Sequence, residues 1–236
     1  MAAPHDRAKE AAARYAVERF VKPPQRLALG TGTTAQFAIR AIAQRFAGAA
    51  LECVASSRAT EELAESLGLP VRGLRPDDRF DLMLDGADEV SPQLALTKGG
   101  GGALLREKLL ARLARRRVIL VDPSKLVSTL GEHLPIPVEI VPFARPVLEH
   151  QLAEAGFEVR ARHGRSDRPF LTDNGNEILD LAPRRPVDDP AALDRWLHRY
   201  VGVIETGIFV GLAERVIVGH DDGSVEVRSR TGRRAG

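Results

Sequence analysis

Residues 27–57 read LALGTGTTAQFAIRAIAQRFAGAALECVASS and carry the pattern that decides the fold. Leu27–Leu29 and Leu51–Ala55 are short apolar runs that predict buried strands. Between them, a glycine–threonine turn leads into a predicted helix from about Ala35 to Phe46. Strands that alternate with helices in this way are typical of a parallel sheet that is doubly wound, with helices on its faces.

The alternation extends on both sides of this stretch. Further helices are predicted at 5–20, 60–67 and 99–116, and further strands at 80–84 and 118–121. Residues 213–236 predict two short strands around Asp221–Gly223 that rejoin the first sheet, and the basic end, 228–234, is expected to be a solvated tail. We therefore expect an α/β catalytic domain formed by residues 1–130 and 211–236.

The pattern changes near Gly131. Strands are predicted at 138–141, 157–161, 170–171, 177–181 and 203–210, with helices at 145–155 and 189–200. Asn174-Gly175 lies in a turn, 172–176, of the kind that joins the two strands of a hairpin. Apart from the short strand at 170–171, the order is β-α-β-β-α-β, which is that of a ferredoxin-like unit. The sequence thus predicts a smaller ferredoxin-like α+β domain at 131–210.

Composition excludes several classes of protein. The chain has 236 residues, 44 % of them hydrophobic and 28 % charged, with a net charge of +2. This balance gives no reason to expect nucleic acid or an anionic membrane as a partner. A single cysteine, Cys53, excludes a disulfide framework. The first 20 residues lack the apolar run of a signal peptide, so a cytoplasmic location is expected.

Polar residues follow several of the predicted strands. They are Gly30–Thr34, Ser56-Ser57, Asp85–Asp88 and Asp122–Lys125. Ligands of an open parallel sheet bind outside the carboxyl ends of its strands. These loops are therefore expected to share one edge and to form a binding site.

The first of these loops, Gly30-Thr-Gly-Thr-Thr-Ala35, matches the GxGxxA pattern of dinucleotide-binding folds. Ser56 and Ser57, however, end the second strand, where such a fold places an acid. Hydroxyl groups and free N–H groups at the start of a helix suit a phosphate monoester. We therefore expect a phosphate rather than a dinucleotide at this turn.

The run Lys98-Gly-Gly-Gly-Gly-Ala103 is more specific. Four consecutive glycines have no side chains to pack and favour close approach of a ligand to the backbone. It is not a phosphate-binding loop of the Walker type, because no Gly-Lys-Ser/Thr follows. Lysine is rare here, with five lysines among 34 basic residues. Lys98 and Lys125 could neutralise nearby acids, hold a phosphate or stabilise an oxyanion.

Glu107 is the strongest candidate for a catalytic residue. Its neighbours three and four positions away on the predicted helix are Ala103, Leu104, Leu110 and Ala111, so the helix offers it no basic partner. Desolvation on such an apolar face is expected to raise the pKa of its carboxyl toward the range of a general base. Asp85 and Asp88 could ligate a metal or transfer protons, and the absence of histidine from these loops favours proton transfer.

In combination, these motifs resemble the ribose-5-phosphate isomerase type A family. The resemblance covers most of the chain and rests on Gly30-Thr-Gly-Thr-Thr-Ala35, Asp85-Gly-Ala-Asp-Glu89, Lys98-Gly-Gly-Gly-Gly-Ala-Leu-Leu-Arg-Glu-Lys108, Asp122-Pro-Ser-Lys125, Pro137-Val-Glu139 and Thr172-Asp-Asn-Gly-Asn176. The chain departs from the family's usual residues at Thr33, Leu105 and Pro123. None of these departures removes an ionisable candidate.

The resemblance implies interconversion of ribose 5-phosphate and ribulose 5-phosphate, in the non-oxidative branch of the pentose phosphate pathway, without metal or cofactor. It implies catalytic roles for Glu107 as proton acceptor and for Asp85, Asp88 and Lys98. The implied substrate-binding residues are Thr31, Gly32, Thr33, Thr34, Asp85, Gly86, Ala87, Asp88, Lys98, Gly99, Gly100, Gly101 and Lys125. Lys9 is a further candidate for the phosphate. A homodimer or homotetramer is expected.

Three other functions fit parts of the pattern. One is a deaminase of amino-sugar phosphates, which ammonia release would reveal. A second is a nicotinamide-dependent dehydrogenase, indicated by the GxGxxA match. The third is a non-catalytic sensor of sugar phosphates, against which Glu107 and the two loop lysines argue.

Overall fold

The computed structural model describes residues 5–164 and 168–229. The α-helices of this part are α1 Asp6–Phe20, α2 Thr33–Arg45, α3 Arg58–Ser66, α4 Leu104–Leu113, α5 Arg145–Glu154 and α6 Pro190–Leu197. The strands are β1 Gln25–Leu29, β2 Leu51–Ala55, β3 Phe80–Gly86, β4 Glu89–Val90, β5 Leu96–Thr97, β6 Ala114–Val121, β7 Ile136–Ile140, β8 Phe157–Ala161, β9 Glu177–Pro183, β10 Val203–Thr206, β11 Ile208–Phe209, β12 Arg215–Gly219 and β13 Val225–Ser229. Within the described residues, no helix is both long and apolar enough to cross a lipid bilayer.

The chain divides into two compact units. The first unit contains the described residues of Met1–Gly86, Leu110–Ser124 and Gly211–Gly236, and the second contains Ala87–Leu109 and Lys125–Val210. The predicted first domain includes 87–109 and 125–130, whereas these segments cluster with the second unit. Because these segments contain several candidate site residues, the second unit holds more of those residues than predicted.

The first unit is built on a six-stranded sheet in the order β13-β12-β6-β3-β1-β2. All neighbouring strands are parallel except the hairpin of β12 and β13. Its two faces follow from the alternation of side chains along each strand. Leu27 and Leu29 pack in one cluster with apolar residues of α1 and α2, and Ala28 packs in another with Leu110 and Ala111 of α4. The predicted mainly parallel, doubly wound sheet is confirmed.

Small residues let α1 approach this sheet closely. Ala8, Ala12 and Ala16 of α1 have no exposed surface. A Cβ atom added to Gly219, at the end of β12, would lie 2.0 Å from the carbonyl oxygen of Ala8. The alanine-rich first helix is therefore explained by close packing against a glycine-terminated strand.

The second unit contains an antiparallel sheet in the order β10-β7-β9-β8, with the element order β7-α5-β8-β9-α6-β10. This confirms the predicted ferredoxin-like unit. Leu148 and Leu152 of α5 and Leu197 of α6 are fully buried in its core. A separate sheet of β11, β5 and β4 completes the unit. Two-residue strands such as β4 and β5 are too short for a pattern of alternation to reveal them.

Three details of the predicted elements are wrong. The helix predicted to run to residue 116 ends at Leu113, because from Ala114 the backbone pairs with β3 instead. The turn 172–176 is present, but Phe170 and Leu171 form no strand, and β9 pairs with β7 and β8. The strand predicted at 203–210 is interrupted at Gly207. Its N–H donates to the carbonyl of Pro137, and its carbonyl accepts from the N–H of Lys98. Most of the predicted basic tail, 230–234, lies outside the described residues.

Candidate active site

In the first unit, the carboxyl ends of the parallel strands bring the predicted polar loops to one edge of the sheet. Gly30 follows β1 and donates to the carbonyl of Leu84 in β3 at 2.9 Å. Ser56 follows β2 and donates to the carbonyl of Leu29 at 3.0 Å. Asp122 follows β6, the other neighbour of β3. The shared edge expected from the strand pattern is therefore present.

Asp85 is fixed in this edge by backbone groups. It is completely buried near the end of β3, and its Oδ1 accepts from the N–H of Gly86 at 2.8 Å and of Thr31 at 3.2 Å. A Cβ atom on Gly30 would lie 2.0 Å from the same oxygen. The glycine that opens the turn is therefore required for the carboxylate of Asp85 to sit beside the turn.

Thr31 connects the turn to the next loop. Its hydroxyl lies 2.7 Å from that of Ser56, 2.8 Å from that of Ser57 and 3.2 Å from that of Thr60. Ser57 also caps α3, accepting from the N–H of Thr60 at 3.1 Å. The Thr31 hydroxyl therefore holds the loop together, which the sequence analysis did not anticipate.

The start of α2 offers the donors that a phosphate needs. Gly32 precedes the helix with a φ of 110°, and Thr33 and Thr34 form its first turn. Thr33 is exposed and Thr34 half-buried, and the first N–H groups of a helix have no partner within it. Hydroxyl and N–H donors with the positive end of the helix dipole form a site suited to an anion.

In the second unit, Asp88 holds the glycine run. Its Oδ2 accepts from the N–H of Gly100 at 2.7 Å, and its own N–H bonds the carbonyl of Thr97 at 2.8 Å. A Cβ atom on Gly100 would lie 2.8 Å from Asp88 Oδ1. Asp88 and the glycine run are therefore parts of one arrangement.

Internal packing accounts for two more of the four glycines. Gly99 and Gly102 have φ angles of 107° and 78°, which favour glycine. Cβ atoms there would lie 2.9 Å from Leu104 and 2.5 Å from Phe170. The glycine run was predicted from ligand approach alone, whereas the packing of Leu104 and Phe170 also requires glycine at these two positions.

Lys98 and Glu107 form a buried ion pair across this run. Lys98 Nζ lies 3.3 Å from Glu107 Oε1, and both side chains are 4 % exposed. Glu107 lies in the first turn of α4, and the N–H of Lys98 is bonded to Gly207 at 2.8 Å. The helical neighbours of Glu107 supply no cation, as expected, but the residue that precedes the glycines does.

Arg162 is a contributor that the sequence analysis missed. It donates to the carbonyl of Gly99 at 2.7 Å and to that of Gly100 at 3.2 Å. Asp180 in β9 accepts from the same guanidinium. Arg162 is one of 29 arginines in the chain, and nothing in its local sequence distinguishes it.

Glu139 is a second missed residue. It is fully buried, and its Oε1 accepts from Thr172, Asn174 and Asn176 at 2.9 to 3.0 Å. Asn174 in turn accepts from Arg106, the residue before Glu107, at 2.8 Å. The turn 172–176 is therefore fixed to β7 and to α4 rather than forming a free hairpin loop.

The remaining predicted cations have different surroundings. Lys125 is half-buried at the end of a 3₁₀ turn, Pro123–Lys125. Lys9 lies 3.7 Å from Asp6 on the same helix. That pairing lies within α1 and gives Lys9 a partner of its own.

Comparison with known proteins identifies the family. The model of ribose 5-phosphate isomerase A (phosphoriboisomerase A) matches residues 52–223. A ribose-5-phosphate isomerase A from Thermomicrobium roseum is 46 % identical over 229 residues, which cover 96 % of each chain. This chain belongs to the ribose-5-phosphate isomerase A family. The predicted resemblance is confirmed, and the chain is an isomerase of this family rather than a dehydrogenase, a deaminase or a sensor.

Solved structures of the family have the same fold. The ribose 5-phosphate isomerase A of Methanocaldococcus jannaschii aligns with a TM-score of 0.89 at 36 % identity, over 95 % of this chain and 99 % of that chain. A D-ribose-5-phosphate isomerase in complex with phospho-erythronic acid aligns with a TM-score of 0.90 at 35 % identity, over 94 % and 97 % of the two chains.

Proposed function

We propose that this chain interconverts ribose 5-phosphate and ribulose 5-phosphate through an enediolate, with Glu107 as the general base. Membership of the family supports the reaction, and one relative is described in complex with a phosphorylated sugar acid. The observation that carries the mechanism is the buried carboxylate of Glu107, 3.3 Å from the ammonium of Lys98.

The reaction moves one proton between two carbons of the open-chain sugar. Glu107 removes the proton from C2 of the aldose, and the electron pair forms the enediolate. The same carboxyl then delivers the proton to C1 while the hydroxyl proton of O2 passes to O1, which gives the ketose. A positioned base of this kind accelerates proton transfer by roughly 10²- to 10⁴-fold.

Two groups stabilise the charge that develops on oxygen. The ammonium of Lys98 and the N–H groups of the glycine run are donors, and Asp88 fixes the glycine run by its bond to Gly100. Asp88 also belongs to the substrate-binding residues that the family resemblance implies. Asp85 transfers a proton during ring opening, from a carboxyl that backbone donors keep in place.

The phosphate binds to the first turn of α2. Thr33 and Thr34 donate hydroxyl and backbone N–H groups, and Thr31 holds the turn through its bonds to Ser56 and Ser57. Lys125 adds a positive charge. We retain the sequence-based assignment of Gly32, Gly86, Ala87, Gly99 and Gly101 to substrate binding as part of this proposal.

Replacement of Glu107 by glutamine tests the mechanism, since it keeps the shape and removes the basicity. We expect kcat for ribose 5-phosphate to fall by about 10²- to 10⁴-fold and deuterium exchange at C2 to stop. Glu177 is a matched control, because it is also buried and has one cation, Arg145, at 3.2 Å. Glu177→Gln should retain kcat. A near wild-type kcat in Glu107→Gln would rule out the proposed base.

Self-association and location stay predictions. We expect a homodimer or homotetramer in the cytoplasm, with a small-molecule pentose phosphate as substrate. Analytical ultracentrifugation of the purified chain measures its assembly directly, and a monomer at micromolar concentration would contradict the expected assembly.

A further inference from the structure

Phe209 lies beside two ammonium groups. Its side chain, in β11, is 1 % exposed. The Nζ atom of Lys108 is 5.0 Å from the centroid of its ring, and that of Lys98 is 5.7 Å away. Both distances lie within the range of a cation–π interaction.

Lys108, in α4, is anchored by residues of α6 and β10. Its Nζ atom lies 2.7 Å from Glu205 Oε1, 3.4 Å from Thr206 Oγ1 and 3.5 Å from Asp194 Oδ1. His198 Nε2 lies 3.0 Å from the same Glu205 oxygen. Asp194, His198 and Glu205 are close enough to share a metal ion. The ammonium of Lys108, however, already provides the cation that the two carboxylates face.

Lys98 is anchored by its backbone. Its N–H bonds the carbonyl of Gly207, and a Cβ atom on Gly207 would lie 2.2 Å from the carbonyl oxygen of Lys98. Phe209 pairs with Leu96 in the same small sheet. One segment, 205–209, therefore holds an anchor of Lys108, the backbone of Lys98 and the ring beside both ammonium groups.

We propose that Phe209 is a positioning residue for the isomerase reaction: its ring, fixed against the anchored Lys108, holds the ammonium of Lys98 beside Glu107. This inference rests on the proposed roles of Lys98 and Glu107. It adds an aromatic residue that touches neither substrate nor reacting atoms. Lys108 is a positioning residue as well, because its anchored ammonium holds the ring of Phe209 in place.

The arrangement has a physical reason. Two buried ammonium groups near one another repel strongly in a medium of low dielectric constant. The three carboxylates of Glu107, Asp194 and Glu205 offset their charge, and the negative face of the ring attracts each ammonium without offering it a hydrogen bond. The ring thus helps to hold Lys98 beside Glu107 without accepting a hydrogen bond from its ammonium.

Graded fluorination of the ring tests this proposal. Fluorine withdraws the negative charge of the ring face while the shape of the side chain is nearly kept. Phe209 is replaced, by nonsense suppression in the full chain, with 4-fluoro-, 3,5-difluoro- and 3,4,5-trifluorophenylalanine, and separately with leucine. We expect kcat for ribose 5-phosphate to fall stepwise with each fluorine, reaching a loss of about 3- to 30-fold, with KM changed by less than about twofold.

Phe80 provides the matched control. It is also fully buried, in the first unit, and is outside the proposed machinery. Phe80→Leu should lower the melting temperature and leave kcat unchanged. A flat kcat across the fluorinated series, in protein whose wild type is active, would overturn the role of Phe209 alone. A wild-type chain that does not isomerise ribose 5-phosphate would instead overturn the proposed function. If Phe209→Leu does not fold, the fluorinated series still decides.

Discussion

The ammonium of Lys98 lies 3.3 Å from the carboxylate of Glu107, and both side chains are almost completely buried. Lys98 directly follows β5, and Glu107 lies in α4, on the other side of the glycine run in sequence. Burial costs each ion its hydration, and the attraction between them offsets that cost only while both are present. Loss of one partner therefore costs stability, and both residues also belong to the proposed mechanism.

This pairing predicts strong coupling between the two residues. Lys98→Met should lower the free energy of unfolding by about 3–5 kcal/mol, because it leaves a buried carboxylate without its cation. The double variant Lys98→Met with Glu107→Leu should lose less than the sum of the two single variants. Urea unfolding of the four proteins measures the coupling.

An exposed pair provides the control for this cycle. Arg160 and Glu158 are in contact, with side chains 77 % and 55 % exposed. Arg160→Met should change the free energy of unfolding by less than about 1 kcal/mol. Strictly additive losses for Lys98 and Glu107 would show that the ion pair contributes nothing to stability.

A side chain at position 100 is expected to lower activity. A methyl group there would lie 2.8 Å from the Asp88 oxygen Oδ1, and the backbone of Gly100 does not need a positive φ. Gly100→Ala should therefore displace the Asp88 carboxylate and lower kcat/KM by roughly 10-fold or more, since misplacement of about 1 Å can cost 10²-fold. Steady-state kinetics with ribose 5-phosphate measure the loss.

Gly73 separates this steric effect from the general effect of alanine. It also has an ordinary φ, and no atom lies within 4 Å of a Cβ placed on it. Gly73→Ala should leave kcat/KM unchanged. Equal activity in both alanine variants would indicate that the position of Asp88 does not matter to the reaction.

Local patterns predicted the elements that carry most of the candidate residues. The parallel edge that gathers Gly30, Ser56 and Asp85 follows from strand–helix alternation, because each strand end is defined by its own sequence. The lack of a basic partner for Glu107 on its own helix also follows from the residues three and four positions away. These are short-range features, set by residues within one or two turns of one another.

The partners of these residues were not predictable in the same way. Arg162 reaches the carbonyls of Gly99 and Gly100 from more than 60 positions away, and Phe209 reaches Lys98 from more than 100. Such contacts depend on how strands pair, which a single sequence does not specify. The strand wrongly predicted at 170–171 has the same origin, since β9 pairs with β7 on one side and with β8 on the other.

Asp78 predicts how stability depends on pH. Arg72 donates two hydrogen bonds to its carboxylate, at 2.6 and 2.8 Å, and these hold the pKa of Asp78 at about 2, below its ordinary 3.8. A depressed pKa stabilises the fold above the ordinary value, and the contribution is lost as the pH falls from about 4 to about 2. Asp78→Asn should therefore cost about 1–2 kcal/mol at pH 7 and progressively less below pH 4.

The difference in unfolding free energy between wild type and variant isolates this carboxyl from the others. It is obtained from urea unfolding at a series of pH values. Asp77→Asn, at the exposed neighbouring position, is the control and should change the free energy of unfolding by less than about 0.5 kcal/mol. A difference for Asp78→Asn that grows on acidification would have the wrong sign for a carboxylate stabilised by Arg72.

We expect the thiol of Cys53 to react only when the chain unfolds. It is fully buried in β2, and burial raises the pKa of its thiol from 9.0 to about 11. Burial keeps the reagent away from the thiol, and the raised pKa lowers the fraction of reactive thiolate at pH 8. Ellman's reagent should modify the native protein at least about 100-fold more slowly than the protein in urea, at a rate that follows unfolding. Asp78→Asn, which lowers the stability of the same unit, should speed the reaction, whereas Asp77→Asn at the exposed neighbouring position should not. Rapid labelling of the native wild type would show that β2 is open to solvent and that the core of the first unit is less well packed than its burial indicates.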